Sequence, residues 1–164
     1  MNPPAITLRE PTFDDAAALG DLHVETWRET YGQLMPASAF DDAARAARVE
    51  MWQGTLQRPE RDGTLLVAET KDQLIGFAGA APSTDEHAAR PLELRMLYVL
   101  AEHHGSGAGQ ALLEAVIGDN PAFLWVAKDN PRARRFYERN RFTTDGAEAV
   151  YIQATGFMIV RMVR

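Results

Sequence analysis

Residues 92–127 constrain the possible folds of this chain more than any other stretch. LELRMLYVL (92–100) is rich in Leu, Tyr and Val and reads as a strand. Gly105, Gly107 and Gly109 then stand at alternate positions directly before an Ala/Leu-rich helical run, 107–117. FLWVA (123–127) is short and continuously apolar, the pattern of a strand buried on both faces. Strand, helix and strand in that order imply a parallel pair joined by a crossover helix.

The flanking segments add neighbours of a different kind. Residues 5–10 alternate apolar and polar as a half-buried strand does. Thr12 or Asp14 caps a helix over 13–31, which Pro36 ends. A second helix is expected over 38–56, with Ser38 as N-cap and Asp41 and Asp42 in its first turn. Residues 64–69 and 73–80 read as a hairpin turned at Lys71-Asp72, and 81–91 as a loop. Asp129-Asn130-Pro131 starts a helix over 131–140, and the tail supplies strands near 146–153 and 156–163. The class is α+β, a single domain over residues 1–164 with a mixed, mostly antiparallel sheet of about seven strands and about four helices.

Composition narrows the function. A chain of 164 residues suits one core. It has no cysteine, which excludes a disulfide framework, a thiolate zinc site and a cysteine nucleophile. The four histidines form no metal-ligand spacing, so no metal is expected. A net charge of −6 argues against nucleic acid as a partner. The apolar runs are too short to cross a membrane, and the first ten residues lack a signal-peptide pattern, so a cytoplasmic location is expected.

The glycines at 105, 107 and 109 suit either a tight turn or a phosphate-bearing ligand held at a helix N-terminus. A dinucleotide fingerprint fails, because Gln110 stands where its third glycine belongs and too few residues follow. A P-loop fails for want of a lysine. HGSGAG, residues 104–109, followed by QALL, resembles the acyl-CoA loop of the GNAT N-acetyltransferase superfamily. DNPRARRFYERNRF, residues 129–142, is similar to that family's second coenzyme A motif through Asn130, Ala133, Phe136 and Tyr137. The resemblance extends over nearly the whole chain.

The resemblance implies a GNAT fold and acetyl-CoA as acyl donor. It implies that Leu97 and Val99 offer backbone hydrogen bonds to the pantetheine arm, with the N–H of Val99 or Leu100 facing the thioester carbonyl. Gly105, Gly107, Ala108 and Gly109 would cradle the phosphates with His104, which replaces the usual Gln or Arg. Asn130 would contact the arm, although an N-cap role alone also explains it. Of the arginines at 132, 134 and 135, Arg135 is the one assigned to the 3′-phosphate. Asn140-Arg141 replaces the usual pair ending in Gly, and Asn140 is the residue expected to turn left-handed. Tyr137 would act as general acid; packing of its ring is the alternative. Glu93 would act as general base, directly or through water, unless it only pairs with Arg95. Alternation puts Glu93, Arg95, Leu97 and Val99 on one face.

Trp27 and Tyr31, at i and i+4, either pack on the core or wall an acceptor pocket, where cation–π attraction contributes on the order of 1 kcal/mol. Glu25, Glu29, Asp85 and Glu86 would add negative charge at its mouth. The acceptor expected is a small primary amine, such as a polyamine or an antibiotic-like amine. A protein or peptide amine, and a non-catalytic acyl-CoA-binding module, are the alternatives. The apolar strand 156–163, left as an exposed edge, would allow a homodimer.

Overall fold

Seven strands pair into one sheet in the computed structural model, which describes residues 5–58, 60–71, 73–152 and 155–164. They are β1 (Thr7–Arg9), β2 (Thr64–Thr70), β3 (Gln73–Pro82), β4 (Leu92–Val99), β5 (Ala122–Ala127), β6 (Thr143–Ile152) and β7 (Phe157–Val163), in the order β1-β2-β3-β4-β5-β7-β6. The β4–β5 pair is parallel and the others are antiparallel. The helices are α1 (Ala16–Tyr31), α2 (Asp42–Leu56), α3 (Ala108–Ile117) and α4 (Pro131–Arg139). The α+β class and the central crossover therefore stand as the sequence implies.

The sheet separates two apolar layers. On one face Leu112, Leu113, Val116 and Ile117 of α3, with Tyr137 of α4, cover Ile75, Leu94 and Leu124. On the other, Ala16, Leu19 and Leu22 of α1 and Trp52 of α2 cover Val67 and Phe77. α1 and α2 meet at Gly20, where an added Cβ would lie 2.4 Å from Val49 Cγ2.

Several local expectations are corrected. Helix α1 ends at Tyr31, so Pro36 does not stop it; Pro36 instead leads a 3₁₀ turn, Ala37–Phe40. α2 begins four residues later than the reading from Ser38, because Asp41 accepts the Ala44 N–H and caps it. The left-handed residue before Phe142 is Arg141 (φ +69°), not Asn140. β7 is not an edge: it lies between β5 and β6, and the more polar β6 takes the rim. That removes the premise for dimer pairing through residues 156–163. Asp72 and Gln153 lie outside the described residues, as do Met1–Pro4; among the described residues no helix is long and apolar enough to cross a membrane.

Two substitutions probe these features. Gly20→Ala should force α1 off α2 and cost about 1–3 kcal/mol in chemical denaturation. Arg141→Gly should raise the melting temperature slightly, because it relieves a left-handed penalty of about 1–2 kcal/mol and loses only an exposed ion pair with Asp119.

Candidate active site

β4 and β5 pair only at Leu92–Ala122, Glu93–Phe123 and Leu94–Leu124. Immediately beyond, β4 bulges: adjacent Ala80 and Gly79 of β3 pair with Leu94 and Met96, leaving Arg95 as the extra residue. A bulge bends its strand. A cavity of about 480 Å³ opens where β4 and β5 part, lined by Leu97, Tyr98, Val99, Leu124 and Val126. The Leu100 N–H donates to Ile75 O at 2.9 Å, so it belongs to β3 and faces no ligand. By alternation the N–H groups of Leu97 and Val99 point toward the gap.

The bulge also overturns the expected strand face. Leu92, Leu94, Leu97 and Val99 pack toward α3, whereas Met96 and Tyr98 pack toward α1 and α2. Glu93 alternates with Leu92 and Leu94, so it lies on the α1/α2 face, opposite Leu97 and Val99. It does not line the cavity, and its carboxylate is 3.7 Å from Arg95 Nε.

Beyond β4 the glycine loop reaches α3. Gly105 (φ +82°) and Gly107 (φ +92°) hold backbone conformations that side chains disfavour, and Gly107 is the N-cap. A Cβ at either position would meet nothing within 4 Å, so the space above the loop is open. Ser106 Oγ accepts the Ala108 N–H at 3.3 Å, while Gly109 lies against the Phe136 ring. First-turn amides of α3 have no helical carbonyl to bond and make up the helix's positive N-terminal end. His104 is committed elsewhere: Nε2 lies 2.8 Å from Val99 O, and Nδ1 meets an Arg132 guanidinium nitrogen. The neutral tautomer protonated at Nε2 donates to Val99 O and accepts Arg132 at Nδ1; the second guanidinium nitrogen beside Nε2 then makes no hydrogen bond. Burial, with the charge of Arg132, holds this imidazole below its ordinary pKa.

α4 forms the far wall. Asn130 Oδ1 accepts the Ala133 N–H at 3.0 Å, and Pro131 occupies the first turn. Arg132, Arg135, Phe136, Tyr137 and Arg139 line the cavity, while Arg134 turns back to Lys128 O. Tyr137 is 8% exposed, with its ring between Phe136 and Phe142. Burial pushes its phenol well above the ordinary value, so the hydroxyl stays protonated. Reciprocal amide bonds between Gln110 and Asn140, at 2.9 and 3.1 Å, clasp α3 to the end of α4. Sequence reasoning missed this clasp; its one signal was the glutamine breaking the glycine fingerprint.

Across the sheet, the phenols of Tyr31 and Tyr98 join that of Tyr137 on the cavity wall, and burial raises all three. Trp27 stands one layer back, 5.2 Å from the Tyr31 ring, and Arg48 covers its ring at 4.9 Å. Tyr151 and Phe157 close the aromatic group. The expected acidic mouth is not assembled: Glu25 pairs with Arg28, and Asp85 caps its own turn. Glu29 accepts the Ala101 N–H at 2.8 Å and lines a smaller adjoining cavity. Among the described residues, no group of three or more His, Asp or Glu side chains is gathered to hold a metal ion.

A sheet split beside a glycine-led helix defines a class, the acyl-CoA-dependent transferases. The Acetyltransferase (GNAT) family model matches residues 17–142, and the chain belongs to that family. The uncharacterised N-acetyltransferase YuaI of Bacillus subtilis is 28% identical over 132 residues, covering 77% of this chain and 74% of its own. The probable N-acetyltransferase Rv2775 of Mycobacterium tuberculosis is 27% identical, covering 89% and 84%. The structure of PaiA N-acetyltransferase from Thermoplasma acidophilum in complex with coenzyme A superposes with a TM-score of 0.70, at 21% identity over 96% of this chain and 98% of that one.

Beneath the aromatic group, His23 packs on Trp27, Trp52, Phe77 and Tyr98 with Nδ1 unpartnered. Burial, with a contribution from Arg48, lowers its pKa from 6.5 to about 3. The folded state thus binds fewer protons than the unfolded one between those values. This stability is full above about pH 6.5 and falls as the pH drops toward 3, by up to about 1.4 kcal/mol per unit. Urea titrations from pH 7 to pH 4 should show this decline, and His23→Gln should flatten it; an unchanged slope assigns the decline to other groups.

Proposed function

We propose that this protein transfers an acetyl group directly from acetyl-CoA to the primary amine of a small molecule. The observation carrying this reading is the parting of β4 and β5 beside Tyr137, with open glycine amides at one end and an aromatic group at the other. The donor fits the residues present. The gap exposes backbone groups of Leu97 and Val99 to a chain-like arm, and Asn130 stands at its edge. The loop from Gly105 through Ala108 to Gly109 offers amides and space to phosphates, and Arg135 stands on the wall for the 3′-phosphate. Bound there, acetyl-CoA supplies the thioester whose acyl carbon the amine attacks.

In this reading each residue answers one requirement of acyl transfer. The Val99 N–H, which points into the gap, would meet the thioester carbonyl oxygen as it gains charge. Tyr137 stays protonated and hydrogen-bonds the departing sulfur, passing to it the proton that the amine sheds as the C–S bond breaks, so the phenol is restored. The amine must arrive neutral. Glu93 is on the acceptor face of β4 but off the cavity wall, so it takes the proton through water, or water alone serves.

Tyr31 and Tyr98 would contact the acceptor, with Trp27 backing Tyr31 rather than touching the amine. Among the described residues the cavity has no carboxylate in its wall, which favours an amine on an apolar, antibiotic-like body. A polyamine's second ammonium would meet no carboxylate in this wall, the acids Glu29 and Asp129 lining the smaller adjoining cavity instead.

Thermal melting is the first test. Acetyl-CoA at about 100 times its Kd should stabilise by roughly 2.7 kcal/mol, with NAD and ATP as controls. An amine screen by thiol release follows. Tyr137→Phe should lower kcat by about 100-fold or more and leave the acetyl-CoA Kd unchanged. Binding with no turnover on any amine would instead make the protein a sensing module.

A further inference from the structure

The loop position that should carry a phosphate-binding side chain holds His104, and this imidazole is already committed on both nitrogens. One goes to Val99 O, at the end of the strand that borders the gap. The other receives Arg132, whose guanidinium lies along the imidazole edge with its second terminal nitrogen 2.7 Å from Nε2. A neutral ring bonded in this way brings no charge to a phosphate. It does hold a permanent cation at the rim of the glycine loop. The bond joins the β4–α3 loop to the first turn of α4 across the cavity, and His104 and Arg132 line both that cavity and the smaller one beside it.

We infer that Arg132, held in place by His104, supplies the positive charge that meets the pyrophosphate of the acyl donor. The inference rests on the acetyl-CoA reading and adds to it a residue outside the glycine loop. Arginine suits the task, since its planar fork keeps donors for a phosphate oxygen after one is spent on His104. Two acids face the pair: Glu29 of α1, whose carboxylate is bonded to the Ala101 N–H, and Asp129 ahead of α4. Of these, Glu29 acts on Arg132 only through space, without an ion pair. His104 is thereby a positioning residue, and Arg135, one turn along α4, remains for the 3′-phosphate.

Calorimetry with coenzyme A, dephospho-coenzyme A and pantetheine separates the possibilities. Arg132→Gln should weaken coenzyme A and dephospho-coenzyme A equally, by about tenfold or more, and leave pantetheine unchanged. A loss confined to coenzyme A would move Arg132 to the 3′-phosphate and overturn the assignment. Equal loss for all three ligands, or for none, would overturn it as well. Wild-type protein that binds no coenzyme A would remove the donor reading itself, a distinct failure. For His104, the readout is coupling. His104→Ala should weaken dephospho-coenzyme A, and the double variant with Arg132→Gln should be no weaker than Arg132→Gln alone; additive losses reject the positioning role. In the free protein, Arg132→Gln should raise the His104 pKa in an NMR titration, and an unmoved titration denies the contact.

Discussion

β4 and β5 are hydrogen-bonded through three residue pairs and then part, and the site depends on that parting. A parallel pair left open inside a sheet exposes backbone donors and acceptors that need partners. The bulge at Arg95 keeps β4 joined to β3 while bending it off β5. α3 and α4 then fill the flanks, so the opening is bordered by a helix N-terminus on one side and by Tyr137 on the other. A sheet paired along its full length would have no room for a ligand at its centre.

The same bulge divides the labour of β4 between its faces. Leu97 and Val99 pack toward α3 and present backbone to the gap, while Met96 and Tyr98 face α1 and α2. Glu93 precedes the bulge and ends on the Tyr98 side. One extra residue thus puts Glu93 and Tyr98 on the face opposite Leu97 and Val99. The Gln110–Asn140 clasp holds α3 against α4 and so sets the distance between the glycine loop and Tyr137.

The titratable groups in and behind the cavity wall that shift on folding include several that favour their uncharged forms. His23, His104 and the phenols of Tyr31, Tyr98 and Tyr137 are all shifted toward their uncharged forms by burial. The wall around Tyr98 and Tyr137 is shielded from water, which strengthens hydrogen bonds made there, while the cavity itself stays open. Charge enters at its rim, through Arg132, Arg135 and Arg139 on one face of α4. Such a division suits a ligand with an apolar reactive end and anionic groups at the other.

Local pattern alone determined the crossover at 92–127, the glycine-led helix and the Asn130 cap, because each depends on residues close together in the chain, whereas the candidacy of Tyr137 came from the family resemblance. Turn chemistry and caps were less legible: Asp41 outcompeted Ser38 as a cap, and Arg141 took the left-handed turn. The tertiary structure decided the rest. Strand alternation assumes unbroken pairing, so a bulge created by the fit of β4 against β3 reversed the face of Glu93. Hydrophobic content cannot order neighbouring strands, so β7 became interior only when the sheet assembled. The union of His104 with Arg132 spans 28 residues and exists because the β4–α3 loop and the start of α4 border the same opening. Nothing in either residue's neighbours along the chain specifies that contact; the parted strands do.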